Sequence, residues 1–142
     1  MKRVIVLADS QSATIVNGSG RVKSLAKVDG LPLIIRNLRT LHAAGVDEAV
    51  VVIGFESERV KEALSSYHVG IKVIEVYNPH WQRGDAHSVL AASQYIDGPC
   101  LLIPCSHLYP PSLVRGMLHT PAPVDSIVMA VDRRVDEVFD EN

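Results

Sequence analysis

The chain has 142 residues and a formal net charge of −2, and 47% of its residues are hydrophobic. This length and composition predict one domain with a buried core, spanning residues 1–142. Because its basic residues are neither in excess nor clustered, the sequence excludes an electrostatic nucleic-acid binder. No apolar run reaches the roughly 18 residues that a membrane span needs, so we expect a cytoplasmic protein.

Short apolar, β-branched runs alternate with amphipathic stretches along the chain. In chain order, their patterns predict a strand at Val4–Ala8, a helix at Pro32–Ala44, a strand at Ala49–Ile53, a helix at Glu58–Ser66, a strand at Ile71–Val76, a helix at Ala86–Tyr95, a strand at Cys100–Ile103, a short helix at Ser112–Leu118 and a strand at Ser126–Val131. Ser57 and Asp85 are the predicted N-caps. Cys100 and Cys105 are predicted to be buried thiols at strand ends rather than a metal pair or part of a disulfide framework.

Strands that alternate with helices in this way predict a mostly parallel sheet with right-handed crossovers. The fold class is therefore α/β, a three-layer α/β/α sandwich of Rossmann-like type. In an open parallel sheet, ligands bind beyond the carboxyl ends of the strands. That rule selects the segments Asp9–Lys23, Gly54–Glu56, Asn78–Asp85 and Pro104–His107 as the rim of a site.

The long loop at residues 9–24 carries the run Gly18-Ser19-Gly20-Arg21-Val22-Lys23. Glycines let backbone N–H groups approach phosphate oxygens, and Arg and Lys neutralise phosphate charge. A flexible loop with a solvated lysine explains the same residues. A dinucleotide-binding loop is a weaker alternative, because the glycines do not directly open a helix.

The stretch Asn78-Pro79-His80-Trp81-Gln82-Arg83-Gly84-Asp85-Ala86-His87-Ser88-Val89-Leu90 resembles the base-recognition segment of nucleotidyltransferases that act on sugar phosphates and polyol phosphates. The match extends to cytidylyltransferases acting on inositol phosphate. Lys23-Ser24-Leu25-Ala26-Lys27-Val28-Asp29-Gly30-Leu31-Pro32 is similar to the opening segment of the same family. By these motifs the chain looks like the nucleotide-binding half of a MobA-like nucleotidyltransferase domain of glycosyltransferase-A type, without the acceptor-binding part.

This resemblance implies transfer of a nucleotidyl group from a nucleoside triphosphate, with CTP favoured, to a sugar- or polyol-phosphate acceptor with release of pyrophosphate. It places Lys23 and Arg21 on the phosphates as catalytic residues. The nucleotide-binding residues it implies are Leu7, Ala8, Asp9, Gly18, Gly20, Gly54, Asn78, Gly84, Asp85 and Ser88. It also implies Mg²⁺ at the position of Ser106 and His107 if the domain is active.

Two departures from the family pattern favour an alternative function. Ala8-Asp9-Ser10 replaces the family's Ala-Ala-Gly, which places the Asp9 carboxylate where phosphate oxygens would approach. Ser106 stands where the family carries a metal-binding aspartate, and a hydroxyl is a poor Mg²⁺ ligand. The alternative is a catalytically degenerate module that binds nucleotide, dimerises or regulates. A half-domain would expose an apolar sheet edge and face, so we also expect a homodimer.

Overall fold

The computed structural model describes residues 2–10 and 22–134 of the chain. Its main sheet contains four parallel strands, β1 (Arg3–Leu7), β4 (Glu48–Ile53), β5 (Lys72–Tyr77) and β6 (Leu101–Pro104). Their spatial order is β5-β4-β1-β6, and a separate antiparallel hairpin pairs β2 (Lys27–Val28) with β3 (Leu31–Pro32). The α-helices are α1 (Leu33–Ala43), α2 (Ser57–Ser66), α3 (Asp85–Ala91) and α4 (Pro111–His119).

Both faces of the central strands β1 and β4 are buried, which explains their nearly continuous apolar runs, whereas the edge strands β5 and β6 are partly exposed. Val4 and Val6 of β1 contribute to one hydrophobic cluster, with α1, α2 and α4, while Ile5 and Leu7 contribute to a second cluster with α3 and the turn that follows it. Every residue of β4, the strand beside β1, is buried. Full burial of a Val or Ile side chain contributes about 1.5–3 kcal/mol, so these strands carry much of the core energy. The predicted three-layer α/β/α architecture is confirmed.

The predicted fifth strand at Ser126–Val131 is wrong. Residues 121–134 form no strand, and Val124 and Ile127 are 91% and 89% exposed. A β-branched run has strand propensity, but it becomes a strand only when it pairs with a neighbour and buries one face. Within residues 2–10 and 22–134, the sheet therefore ends at β6.

Three smaller predictions also need correction. The helix predicted at Ala86–Tyr95 begins at Asp85 and ends at Ala91, and a 3₁₀ turn over Ser93–Tyr95 follows it. The N-caps lie one residue before those predicted, at Glu56 and Gly84. Cys105 is buried as predicted, whereas Cys100 is exposed. Burial raises the pKa of the Cys105 thiol to about 12, so this cysteine is unreactive at neutral pH.

None of the helices in the described part of the chain is long and apolar enough to cross a membrane.

A buried carboxylate holds the amino ends of three strands together. Glu48, at the start of β4, is 2% exposed and accepts a hydrogen bond from Arg3 Nε at 2.6 Å. Lys72 Nζ, at the start of β5, lies 2.8 Å from the other oxygen of Glu48. Hydrogen bonds from Lys72 and Arg3 hold the pKa of Glu48 below its ordinary value of 4.5, although burial opposes them.

We expect Glu48→Gln to lower the free energy of unfolding by about 2 kcal/mol at neutral pH, because two charge-assisted hydrogen bonds are weakened. The folded-state pKa of Glu48 lies below the unfolded-state value. Its contribution to stability is therefore complete above the unfolded-state pKa and is lost as the pH falls through the folded-state pKa. Urea unfolding of both proteins from about pH 7 to about pH 3 measures this difference. Parallel pH curves for the two proteins would contradict the assignment.

Candidate functional site

The sheet's hydrogen bonding continues one or two residues past the ends of β1, β4 and β5 and joins the three loops that follow them. The Asn78 N–H donates to the Ile53 carbonyl at 2.8 Å, just after β5. The Phe55 N–H donates to the Asp9 carbonyl at 3.2 Å. The segments that follow β1, β4 and β5 therefore lie side by side at the carboxyl edge of the sheet, as the sequence predicted.

Three polar side chains from these segments form a buried cluster. Asp9, Asn78 and Ser88 are 1%, 2% and 1% exposed. Asp9 Oδ2 accepts hydrogen bonds from Ser88 Oγ at 2.6 Å and from Asn78 Nδ2 at 2.9 Å. The remaining amide oxygen, Asn78 Oδ1, accepts the backbone N–H of His80 at 2.9 Å. We refer to Asp9, Asn78 and Ser88 as the strand-end cluster.

The strand-end cluster corrects the expected orientation of Asp9. Its carboxylate was expected to face incoming phosphate oxygens and repel them. Instead it is buried, and it accepts hydrogen bonds from β5's end and from α3. These donors are neutral, so they orient the carboxylate without cancelling its charge.

Gly54 lies in close contact with the two segments beside it. A Cβ atom at this position would stand 2.6 Å from Trp81 Cβ and 3.0 Å from Asp9 Cβ. The Trp81 ring also packs against Phe55, with ring centroids 5.1 Å apart. Glycine at this position is explained by these side chains, while its predicted contact with a nucleotide base stays a prediction.

The turn into α3 requires a glycine for a different reason. Gly84 has φ +95° and ψ 176°, a backbone conformation that residues with a side chain rarely adopt. Asp85 follows as the first helical residue and is exposed. A negative charge in the first turn stabilises a helix, since the N–H groups there carry partial positive charge. Gly84 and Asp85 therefore lie at the rim beside Ser88.

The predicted phosphate-binding side is only partly described. Gly18, Gly20 and Arg21 lie outside the described residues. Lys23 is half-buried and begins a short 3₁₀ helix, Lys23–Leu25, that lies against α1 and α2. Beside it, the buried Oγ of Ser24 has no hydrogen-bond partner in the described part of the chain.

The side chains of Leu7 and Ala8 are buried, in opposite hydrophobic clusters. Their predicted contact with a nucleotide is therefore limited to backbone atoms.

On the far side of β1, the loop after β6 carries Ser106 and His107. Ser106 Oγ lies 2.8 Å from His107 Nδ1, so these two predicted metal ligands hydrogen-bond to each other. Asn37 of α1 supports this loop, because its Nδ2 donates to the His107 carbonyl at 3.0 Å. Asn37 is buried, and nothing in its helical periodicity distinguished it from a core position.

These residues do not fit a Mg²⁺ ion. Mg²⁺ prefers carboxylate oxygens in octahedral geometry, whereas Ser106 and His107 offer a hydroxyl and an imidazole. The Asp9 carboxylate is engaged in the strand-end cluster. Within residues 2–10 and 22–134, no group of three His, Cys, Asp or Glu side chains is placed to hold a metal ion.

Comparison with known proteins gives a family and several relatives. The MobA-like NTP transferase domain matches residues 4–138 of the chain. The bifunctional IPC transferase and DIPP synthase of Rubrobacter xylanophilus is 37% identical over 116 residues, which are 81% of this chain and 26% of that protein. The CMP-5′-(3-aminopropyl)phosphonate synthase of Streptomyces rubellomurinus is 28% identical over 121 residues, covering 84% of this chain and 19% of that protein.

Among solved structures, the inositol-1-phosphate CTP transferase from T. maritima superposes with a TM-score of 0.67 at 23% identity. The alignment covers 82% of this chain and 48% of that one. This likeness shows a shared fold. The chain thus spans about a quarter or less of the two curated relatives and about half of this structural neighbour.

The close contact at Gly54 leads to a prediction. Gly54→Ala should lower the free energy of unfolding by about 1–3 kcal/mol, because the new methyl group overlaps Trp81 and forces its segment to move. Urea unfolding measures the loss, and the emission of Trp81, the only tryptophan, reports the movement.

The matched control is Gly116→Ala in α4, where a Cβ would meet open space. It should raise stability by about 0.5–1 kcal/mol and leave the emission unchanged. Equal effects of the two substitutions would show that the contact at Gly54 is unimportant.

Proposed function

We propose, because the chain belongs to the family of MobA-like NTP transferase domains, that it binds a nucleoside triphosphate. The proposed site is the rim at the carboxyl edge of the sheet. The chain would transfer the nucleotidyl group to a phosphorylated acceptor. The strand-end cluster is the observation that carries this proposal, because it orders the segments at the edge where a parallel sheet binds its ligands. Gly84 and Asp85 would border the base on the helix side of that rim.

The reaction is a substitution at phosphorus. An oxygen of the acceptor phosphate attacks the α-phosphorus of the triphosphate, and the bond from that phosphorus to the bridging oxygen breaks. Pyrophosphate leaves with the bonding electrons. Lys23 and Arg21 would neutralise the phosphate charge, so catalysis would depend on positioning and electrostatic stabilisation rather than on a covalent intermediate.

CTP is the nucleotide that we propose. One relative is named for the synthesis of a CMP compound, and the structural neighbour is named for the use of CTP with inositol 1-phosphate. A sugar or polyol phosphate is the proposed acceptor for the same reason. A further proposal is a homodimer in which the exposed apolar segment at residues 124–131 is covered, which light scattering at micromolar concentration would detect.

Calorimetric titration of the purified protein with CTP, GTP, ATP and UTP tests the proposal. We expect CTP to bind most tightly. Lys23→Ala should weaken CTP binding about tenfold, because one charge-assisted contact to phosphate is lost. Lys2→Ala is the matched control, since Lys2 is exposed and precedes β1 at the opposite end of the sheet. Wild-type protein that binds no nucleotide at millimolar concentration would refute the proposed function.

The pair formed by Ser106 and His107 favours a second candidate function. With no carboxylate at position 106, the domain would bind nucleotide without transferring it and would act as a regulatory or dimerising module. Both candidates predict nucleotide binding, so binding alone does not separate them. They differ in the effect of Mg²⁺, because only the first candidate predicts magnesium-dependent release of pyrophosphate.

Under the second candidate, CTP affinity of the wild-type protein is the same in Mg²⁺ and in EDTA. Ser106→Asp should then raise CTP affinity about tenfold in Mg²⁺ only, because a carboxylate is a Mg²⁺ ligand and a serine hydroxyl is a poor one. Titration in both buffers measures this. Magnesium-dependent pyrophosphate release by the wild-type protein, with any phosphorylated acceptor, would contradict the second candidate.

A further inference from the structure

We propose that Asp9 is a positioning residue that holds the loop from Asn78 to Ser88 in its nucleotide-binding shape before any nucleotide is present. The proposal rests on the proposed function and assigns Asp9 a role within the same site. Asp9 would touch neither the phosphates nor a metal ion. It would act through the two side chains that it orients.

Asp9 joins three elements that the chain brings together from distant positions. Its carbonyl accepts the N–H of Phe55, which follows β4. Its Oδ2 atom accepts hydrogen bonds from Asn78 Nδ2, which follows β5, and from Ser88 Oγ, which lies in α3. Both ends of the loop from Asn78 to Ser88 are therefore hydrogen-bonded to one carboxylate oxygen.

Because the Asp9 carboxylate is buried, it needs the loop as much as the loop needs it. A carboxylate removed from water is strongly unfavourable unless hydrogen bonds replace its hydration. With 1% exposure, Asp9 depends on the donors of Asn78 and Ser88 for that replacement. If the loop moved while Asp9 stayed shielded from water, the charge would lose these partners, so the buried carboxylate and the ordered loop depend on each other.

The same contacts fix the direction of the Asn78 amide. Its Nδ2 points to Asp9, and its Oδ1 accepts the N–H of His80. Asn78 and Ser88 therefore shape the pocket rather than offering free groups to a base. Recognition of the base would be left to backbone atoms and to other side chains along the rim.

Trp81 provides a direct reporter of this loop. It is the only tryptophan in the chain, and it lies between the two ends of the loop. It packs against Phe55 and lies close to Gly54. If the loop loosens, quenching of its emission by acrylamide should increase even when no nucleotide is present.

The experiment compares five proteins, each with all 142 residues of the chain, by acrylamide quenching, thermal unfolding and CTP titration. They are the wild type, Asp9→Asn, the exchange Asp9→Asn with Asn78→Asp, Ser88→Ala, and Glu48→Gln. The exchange returns one amide and one carboxylate to the pair in reversed order. Glu48→Gln is the matched control, because it removes another buried carboxylate at the opposite end of the sheet.

Asp9→Asn should increase Trp81 quenching and raise the Kd for CTP about tenfold, because the remaining amide oxygen accepts both hydrogen bonds without the charge that strengthens them. The exchange should restore most of both values. Ser88→Ala should change both in the same direction by a smaller factor, and it carries the comparison if Asp9→Asn does not fold. Glu48→Gln should lower the melting temperature while leaving quenching and Kd at the wild-type values.

Wild-type quenching and Kd in the Asp9→Asn protein, or in Ser88→Ala if Asp9→Asn does not fold, would overturn the proposal. Equal changes in Glu48→Gln would also overturn it, because they would reflect general destabilisation. A wild-type protein that binds no CTP would refute the proposed function instead. The quenching comparison would then still decide whether Asp9 positions the loop.

Discussion

A carboxylate that folding removes from water must find hydrogen-bond donors, and this requirement governs both ends of the sheet. Glu48 meets it with Arg3 and Lys72, at the amino ends of the strands. Asp9 meets it with Asn78 and Ser88 at the carboxyl ends. The first arrangement aligns the starts of three strands, and the second orders the loops where a ligand would bind. Core burial of the parallel strands provides the rigid support that both arrangements need.

The two sides of the carboxyl edge differ in what they offer a nucleotide. On the side of β4 and β5, buried hydrogen bonds and the close contacts of Gly54 hold the loops in one arrangement. On the side of β6, Ser106 and His107 form a hydrogen bond between two groups that suit Mg²⁺ poorly. The geometry of the carboxyl edge therefore supports nucleotide binding more strongly than it supports nucleotidyl transfer. Because of this difference, measurements with and without Mg²⁺ distinguish the two proposed functions.

The sheet and the rim were predictable because they depend on local pattern. Continuous apolar runs identified the four strands, and the carboxyl-end rule then placed Gly54 and Asn78 together, while the family resemblance added Ser88. The orientation of Asp9 was not predictable, since it depends on which donors other segments bring near it. The run Ser126–Val131 shows the same limit, because strand propensity does not specify a pairing partner. Asn37 was missed because a buried polar side chain in a helix leaves no periodic signal.

Hydrogen exchange of the backbone amides, with and without saturating CTP, would locate the nucleotide-binding site. We expect added protection in the segments at residues 8–10, 54–57 and 78–88, at the carboxyl edge of the sheet. The amino edge around Glu48 and the exposed segment at residues 124–131 should exchange as before. Unchanged exchange throughout, or protection confined to another surface, would contradict the claim that the rim at the carboxyl edge of the sheet binds the nucleotide.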